Sequence, residues 1–205
     1  MPIRAIIFDV GGVFARTENV NGRRKWEQRL GLAEDTLAMT VWTSEISRQG
    51  EIGQATLEEI WRGIGQLFEL NAAEVKELQA DFWSGGTWDD GLTEFVRSLK
   101  PRYKTGVISN AWPEAREFVE SHTGSATFDA ILFSAEEGVA KPNRVIFERA
   151  LARLGVAPDE AIFINDVAEN IEAACTIGLH GIQFDNTPHV IDQIKRYLNG
   201  YAEIP

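Results

Sequence analysis

Apolar and polar positions fall along this chain in two rhythms, and the change between them divides it. Ile6, Ile7 and Phe8 form an unbroken apolar run of the length and β-branched character of a strand covered on both faces. Asp9 ends that run, and Gly11 and Gly12 let the backbone turn sharply there. From about 15 to 87 no further strand-like run occurs, and helical spacing takes over. Trp26 and Leu30 lie four apart. Leu57, Ile60, Trp61, Ile64, Leu67 and Phe68 trace one helical face behind a capping box, Thr56 with Glu59. Asn71 with Glu74 predicts a second capped helix, its apolar face made by Val75, Leu78 and Phe82. Trp26, Trp42, Trp61 and Trp83 all fall in this segment and are expected to fill a small helical core, with room for one to line a pocket.

From about Trp88 strands return. The pattern predicts helices at 91–99, 113–121, 143–154, 168–177 and 190–198, and strands at 104–109, 130–134, 161–165 and 181–184. Such alternation implies a parallel sheet with helices on both faces and right-handed crossovers. The first strand must join that sheet, so the helical segment is an insertion into it.

Composition narrows the function more than the fold. The chain has 205 residues, enough for one substantial core with an insert. Thirty-one acidic against 20 basic residues give a net charge of -11, which argues against a nucleic-acid footprint but not against a small anionic substrate held by local positive charge. Cys175, the single cysteine, is expected as a small core residue on a helix, and no disulfide framework is possible. No apolar run approaches the roughly 20 residues that span a bilayer, and the N-terminus leads straight into a strand; a cytoplasmic protein without membrane partners is expected.

Chemistry-bearing residues collect at the strand ends, where open α/β sheets place their sites. Asp9 ends the first strand. Ser109-Asn110 end another just before a helix, a hydroxyl and backbone N–H groups suited to an anion and equally to an ordinary helix cap. Lys141, in a loop, suits a phosphate or plain solvation. Asn165-Asp166 end a third apolar run, and Asp166 can lie close to Asp9, a juxtaposition that calls for a cation; Mg²⁺ suits such an oxygen-rich site.

In this order and spacing the four pieces resemble the motifs of the haloacid dehalogenase (HAD) superfamily. Asp9-Val10-Gly11-Gly12-Val13 is similar to its first motif, Ser109-Asn110 to its second, Lys141 to its third and Asn165-Asp166 to its fourth. The resemblance extends along the whole chain and looks nearest to bacterial glucose-1-phosphate-type phosphatases and the phosphatase domain of soluble epoxide hydrolase. It implies an α/β fold: a Rossmann-like parallel sheet, the HAD core, formed by 1–14 and 88–205, with a helical cap at 15–87. It further implies a Mg²⁺-dependent phosphatase of a small phosphorylated metabolite, with a sugar phosphate as one candidate. Asp9 would be the nucleophile of an aspartyl-phosphate intermediate. Asp9, the Gly11 carbonyl and Asp166 would hold Mg²⁺, and Ser109, Asn110 and Lys141 would hold the phosphoryl group.

Two departures from the pattern stand out. Gly11 occupies the position of the family's usual general acid–base aspartate, so slow turnover or a good leaving group is expected. Asn165 replaces a frequent acid, which should weaken Mg²⁺ binding. Glu169 and Asn170 are candidate supports of the metal's water shell or simply helix-start polar residues. Trp112 either meets the cap and substrate or packs on its own helix. Chain crossings near 15–17 and 84–87 are expected as hinges. The alternatives are a 2-haloacid dehalogenase using the same aspartate, with Arg16, Arg23 and Arg24 available for the substrate carboxylate, and a catalytically weak binding protein on the same fold.

Overall fold

A computed structural model describes residues 2–199. Its centre is a five-stranded parallel sheet in the order β5-β4-β1-β6-β7, formed by β1 (Ala5–Phe8), β4 (Lys104–Ser109), β5 (Ala130–Phe133), β6 (Ala161–Asn165) and β7 (His180–Gln183). The period-two geometry of a strand sorts β1 between two cores. Ile6 and Phe8 join Val107, Ile162 and Ile164 under helices α6 (Asp90–Leu99) and α11 (Thr187–Leu198). Ala5 and Ile7 join Ile108, Leu132 and Phe163 under α9 (Arg144–Leu154) and α10 (Ala168–Thr176). Both faces are therefore covered, which is why these strands read as continuous apolar runs. The chain between β5 and β7 also forms a short helix α8 (Ser134–Glu137), while α7 (Ala115–Thr123) follows β4.

Five helices, α1 (Asn21–Leu30), α2 (Thr36–Thr43), α3 (Glu45–Glu51), α4 (Leu57–Leu67) and α5 (Ala72–Trp83), lie between β1 and α6 in sequence. They enclose a third core, with Trp26, Leu37, Val41, Ile60, Trp61, Ile64, Leu78 and Phe82 buried, which Trp112 joins from beyond β4. Both sequence-predicted capping boxes form. Thr56 accepts from the Glu59 N–H while Glu59 reaches back to Thr56, and Asn71 and Glu74 do the same.

Three expectations are corrected. The segment 15–87 is not free of strands, because β2 (Ala15–Thr17) and β3 (Gly86–Trp88) pair as an antiparallel ribbon where the chain enters and leaves the insert. Three residues are too few to display an alternation, and the pairing joins positions about 70 apart, so no local pattern announces it. Just before β3, Gly85 serves close approach: a Cβ there would come within 1.6 Å of the Asn19 carbonyl oxygen. Trp26 and Trp61 are core residues as expected, whereas Trp42 and Trp83 are 40% and 46% exposed and pack edge-to-face on each other. Cys175 is exposed, because Ala174 takes the buried stripe of α10 and Cys175 lies at the sheet edge beside Gly181.

Asp89 ties the ribbon to the sheet domain. It caps α6 through the Leu92 N–H at 2.7 Å, pairs with Arg16 of β2 at 2.7 Å and accepts a hydrogen bond from Thr187 at the start of α11. Burial disfavours its charge, but the bonds from Thr187, Arg16 and the Leu92 N–H prevail and hold its carboxyl below the usual range. Asp89→Ala loses the cap and strands the Arg16 guanidinium, so it should cost about 2–3 kcal/mol in urea unfolding. A depressed carboxyl stabilises the fold fully above its unfolded pKa of 3.8 and loses that contribution as pH falls through the folded value. The difference between wild type and variant should therefore hold at neutral pH and shrink below pH 3.8; a constant difference down to the lowest measurable pH would refute the assignment.

Candidate active site

Strand register assembles the site. Phe8 pairs with Val107 on one side and with Ile164 on the other, so Asp9, one residue further, lies level with Ile108 and Asn165. Ser109-Asn110 and Asn165-Asp166 thus flank it at the C-terminal edge of the sheet. Asp9 is 7% exposed, and both of its carboxylate oxygens are engaged. Oδ1 accepts from the Val10 N–H at 2.7 Å; Oδ2 lies 2.7 Å from Lys141 Nζ and accepts from the Asn165 amide.

Lys141 is no solvated surface lysine. Its side chain is 1% exposed, and its ammonium also donates to the Ile108 carbonyl at 3.0 Å. Burial pulls the ammonium below the usual lysine range, while Asp9 first, then Asp166 and Glu51, pull it back. Asn110 holds the loop in place: its Nδ2 donates to the Lys141 carbonyl at 2.9 Å and its Oδ1 accepts from the Lys141 N–H at 2.8 Å. The Asn110 side chain is thus a clamp on the lysine rather than an ordinary helix cap. Ser109 is buried at the end of β4, and its hydroxyl has no hydrogen-bond partner among the described residues, which leaves it free for a ligand.

On the other side Asn165 is fully buried. Its Nδ2 donates to Asp9 and, at 3.2 Å, to Asp166 Oδ1, and its Oδ1 accepts from Asn170 Nδ2 at 2.7 Å. This chain of amides makes Asn165 a donor to two carboxylates, a role an acid could not play. Asn170 is therefore part of the arrangement; Glu169 is exposed in the first turn of α10 and makes no side-chain hydrogen bond or ion pair with the other site residues among the described residues. Asp166 keeps one side open to solvent, but burial of the rest of its carboxylate and, second, the charge of Asp9 push its carboxyl above the usual range.

The loop after Asp9 is shaped around Asp166. Gly12 has φ +73°, and a Cβ there would overlap Asp166 Oδ2 at 2.0 Å, so only glycine fits on both counts. Gly11 is the opposite case: it is exposed, and a Cβ would meet nothing within 4 Å. Its carbonyl accepts no hydrogen bond among the described residues. Two carboxylates close enough to raise one proton affinity, a free carbonyl and no cluster of three His, Cys, Asp or Glu among the described residues make a sparse, all-oxygen donor set. Such a set fits a hard cation that keeps its own waters and takes ligand oxygens, as Mg²⁺ does, better than zinc.

Trp112 reaches across to the insert. It is buried, donates through Nε1 to the Ser47 carbonyl at 3.1 Å and meets Trp61 edge-on at 5.9 Å. Packing on its own helix alone is ruled out. Glu51, at the end of α3 and not among the sequence candidates, is half-buried with Lys141 and Arg48 as its charged neighbours. It stands in the polar run Ser47-Arg48-Gln49-Gly50-Glu51, which carries no periodic or motif signal.

A parallel α/β sheet with a buried Asp–Lys pair at its C-terminal edge, an uncommitted serine and a second aspartate is the core of an enzyme. The chain belongs to the haloacid dehalogenase-like hydrolases, whose family model matches residues 3–178. Acyl-CoA dehydrogenase family member 10 of Mus musculus is 35% identical over 210 residues, 95% of this chain but only 19% of that protein, so the chain spans about a fifth of this relative. Sesquiterpene phosphatase astK of Aspergillus oryzae is 26% identical, covering 90% of this chain and 91% of its own. Among solved structures, a HAD family enzyme from Bacteroides thetaiotaomicron in complex with magnesium and inorganic phosphate shares the fold with a TM-score of 0.74, at 21% identity over 92% of this chain and 98% of that one. No helix of the described residues is long and apolar enough to cross a membrane.

Asn165→Asp would place a third carboxylate between Asp9 and Asp166 and replace a buried donor by a charge. It should destabilise the metal-free protein by about 3 kcal/mol, seen as a lower midpoint in denaturant. An unchanged midpoint would mean that the amide's donor role contributes nothing.

Proposed function

We propose that this hydrolase is a Mg²⁺-dependent phosphatase of small phosphorylated metabolites, acting through an aspartyl-phosphate on Asp9. The observation that carries this reading is the convergence of Asp9, Lys141 and the unpartnered Ser109 hydroxyl at one strand edge, with Asp166 beside them. On it, 1–14 and 88–205 form the catalytic core and 15–87 a cap over it. Ser109, the Asn110 backbone and Lys141 bind the phosphoryl oxygens and stabilise the charge that develops on them. Asp9 attacks phosphorus, and water later releases phosphate from it. Asp9, Asp166 and the Gly11 carbonyl would hold Mg²⁺, which when bound shields the approach of two anions. Asn110 keeps Lys141 in place, and Asn170 orients Asn165 so that it donates to Asp9.

The dehalogenase alternative needs a free arginine for a substrate carboxylate. Arg16 is committed to Asp89 and the Val13 carbonyl, Arg23 to the Phe82 carbonyl and Thr17, and Arg24 to Glu34. These commitments favour phosphate chemistry.

Hydrolysis of p-nitrophenyl phosphate should require Mg²⁺ and vanish in EDTA and in Asp9→Asn. Undiminished hydrolysis in EDTA would remove the metal from the proposal, and chloride release from a 2-haloacid would replace it with the dehalogenase. Thermal unfolding offers a readout independent of turnover. Mg²⁺ should raise the Tm of wild type and leave that of Asp166→Asn unmoved; equal shifts would place the cation elsewhere.

A further inference from the structure

We propose that Glu51, carried by the insert, is the general acid and base of the reaction, taking the place left empty at Gly11. The inference rests on the phosphatase reading above and asks which group of this chain moves the proton.

In-line displacement places the leaving oxygen on the side of phosphorus opposite Asp9, so it points away from the sheet edge. The α3–α4 turn is fixed over that edge by two contacts. Trp112, three residues after Ser109, donates to the Ser47 carbonyl at 3.1 Å, and a Cβ on Gly50 would come within 3.2 Å of Trp112 Cδ1. On the other side a Cβ on Gly53 would approach the Ala135 carbonyl oxygen to 2.2 Å, just after the end of β5. Glu51 lies between these two anchors, one residue from Gly50 and two from Gly53. Its carboxylate makes no hydrogen bond or ion pair among the described residues, although it stands within electrostatic range of Lys141.

Most other acids near this turn are occupied. Glu136 pairs with Arg116, and Glu137 with Arg149 and Arg153, on the helix that α3 packs against. The charged groups that face Glu51 are Lys141 from the sheet domain and Arg48 from its own helix. Burial pushes the Glu51 carboxyl above the usual range, and Lys141 and then Arg48 oppose the shift without cancelling it. A carboxyl shifted in this direction keeps its proton to higher pH than a free glutamate, which is the direction that proton transfer to a leaving group requires.

The steps balance. An Asp9 oxygen forms a bond to phosphorus as the bond to the leaving oxygen breaks, and that oxygen takes the proton of Glu51. The Glu51 carboxylate then removes a proton from water as the water oxygen attacks phosphorus. The bond to Asp9 breaks, phosphate leaves, and Asp9 and protonated Glu51 are restored.

The test compares Glu51→Gln with wild type, both with Mg²⁺, on an alkyl phosphate and on p-nitrophenyl phosphate. The alkoxide needs the proton and the nitrophenolate does not. The variant should lose about 10²-fold or more on the alkyl ester. On the aryl ester it should release one equivalent of nitrophenolate per enzyme in a burst and then turn over slowly, because the second step lacks its base. Gly11→Asp added to Glu51→Gln should recover much of the alkyl activity, since that position has space for a side chain. Equal losses on both esters with no burst, the mark of a merely structural role, would overturn the proposal. Should Glu51→Gln fail to fold, wild type alone decides. Its kcat/KM should fall at alkaline pH earlier for the alkyl than for the aryl ester; superimposable profiles would overturn the role. Wild type inert to both esters would overturn the phosphatase reading itself, whereas active wild type with an indifferent variant removes Glu51 alone.

Discussion

Everything at the sheet edge is arranged around one buried contact, Lys141 Nζ against Asp9 Oδ2 at 2.7 Å. Removing both charges from water is expensive, and their mutual attraction offsets that cost only if the remaining polar atoms are also satisfied. The structure meets this condition from three directions. The Val10 N–H takes the other Asp9 oxygen, the Ile108 carbonyl takes a second lysine proton, and Asn165 adds a further donor to Asp9. The last two depend on the register of β1 with β4 and β6, so the parallel pairing of the sheet and the electrostatics of the site are one constraint. Asn110 extends it, since its two bonds to the Lys141 backbone fix where the lysine chain begins.

The second carboxylate is held differently. Asp166 is packed against the glycine turn, with no room for a Cβ at Gly12, and is pushed towards protonation by burial and by Asp9. The charge balance around Lys141 is therefore uneven. One ammonium faces Asp9, Asp166 and Glu51, and the excess negative charge is a standing demand for another cation or for a proton. The proposed Mg²⁺ site answers the first demand and the proposed role of Glu51 the second. The insert takes part in this balance because Trp112 and Gly53 seat the end of α3 against the sheet domain.

Much of this was legible in the residue pattern. The continuous apolar runs, each ending in a polar residue, located the buried strands and the site because both are consequences of a sheet covered on two faces. Asp9, Ser109 and Asp166 could be picked out for the same reason, whereas Lys141, in a loop, stood out only through its place in the family's pattern; both capping boxes of the insert were readable because the interaction is contained within four residues. What escaped is non-local or too short to show a period. The β2–β3 ribbon pairs three residues with three others across the whole insert. The exposure of Trp42, Trp83 and Cys175 depends on which side of a helix a neighbouring element covers, and an aromatic or a cysteine carries no label for that.

The chain by itself determined the element types, the two-faced burial of the sheet and the residue types gathered at its edge, because these follow from local periodicity and from short-range hydrogen bonding. Only the tertiary structure decided how those residues are used. The amide of Asn165 became a donor because Asn170 and Asp9 converge on it from opposite sides. Asn110 became a clamp because Lys141 lies across from it, 31 residues away. Glu51, unremarkable in the sequence, acquired an unpaired, half-buried carboxylate near Lys141 because the insert folds back onto the sheet. Electrostatic consequence depends on distance and burial, and neither is written in the order of residues along a chain.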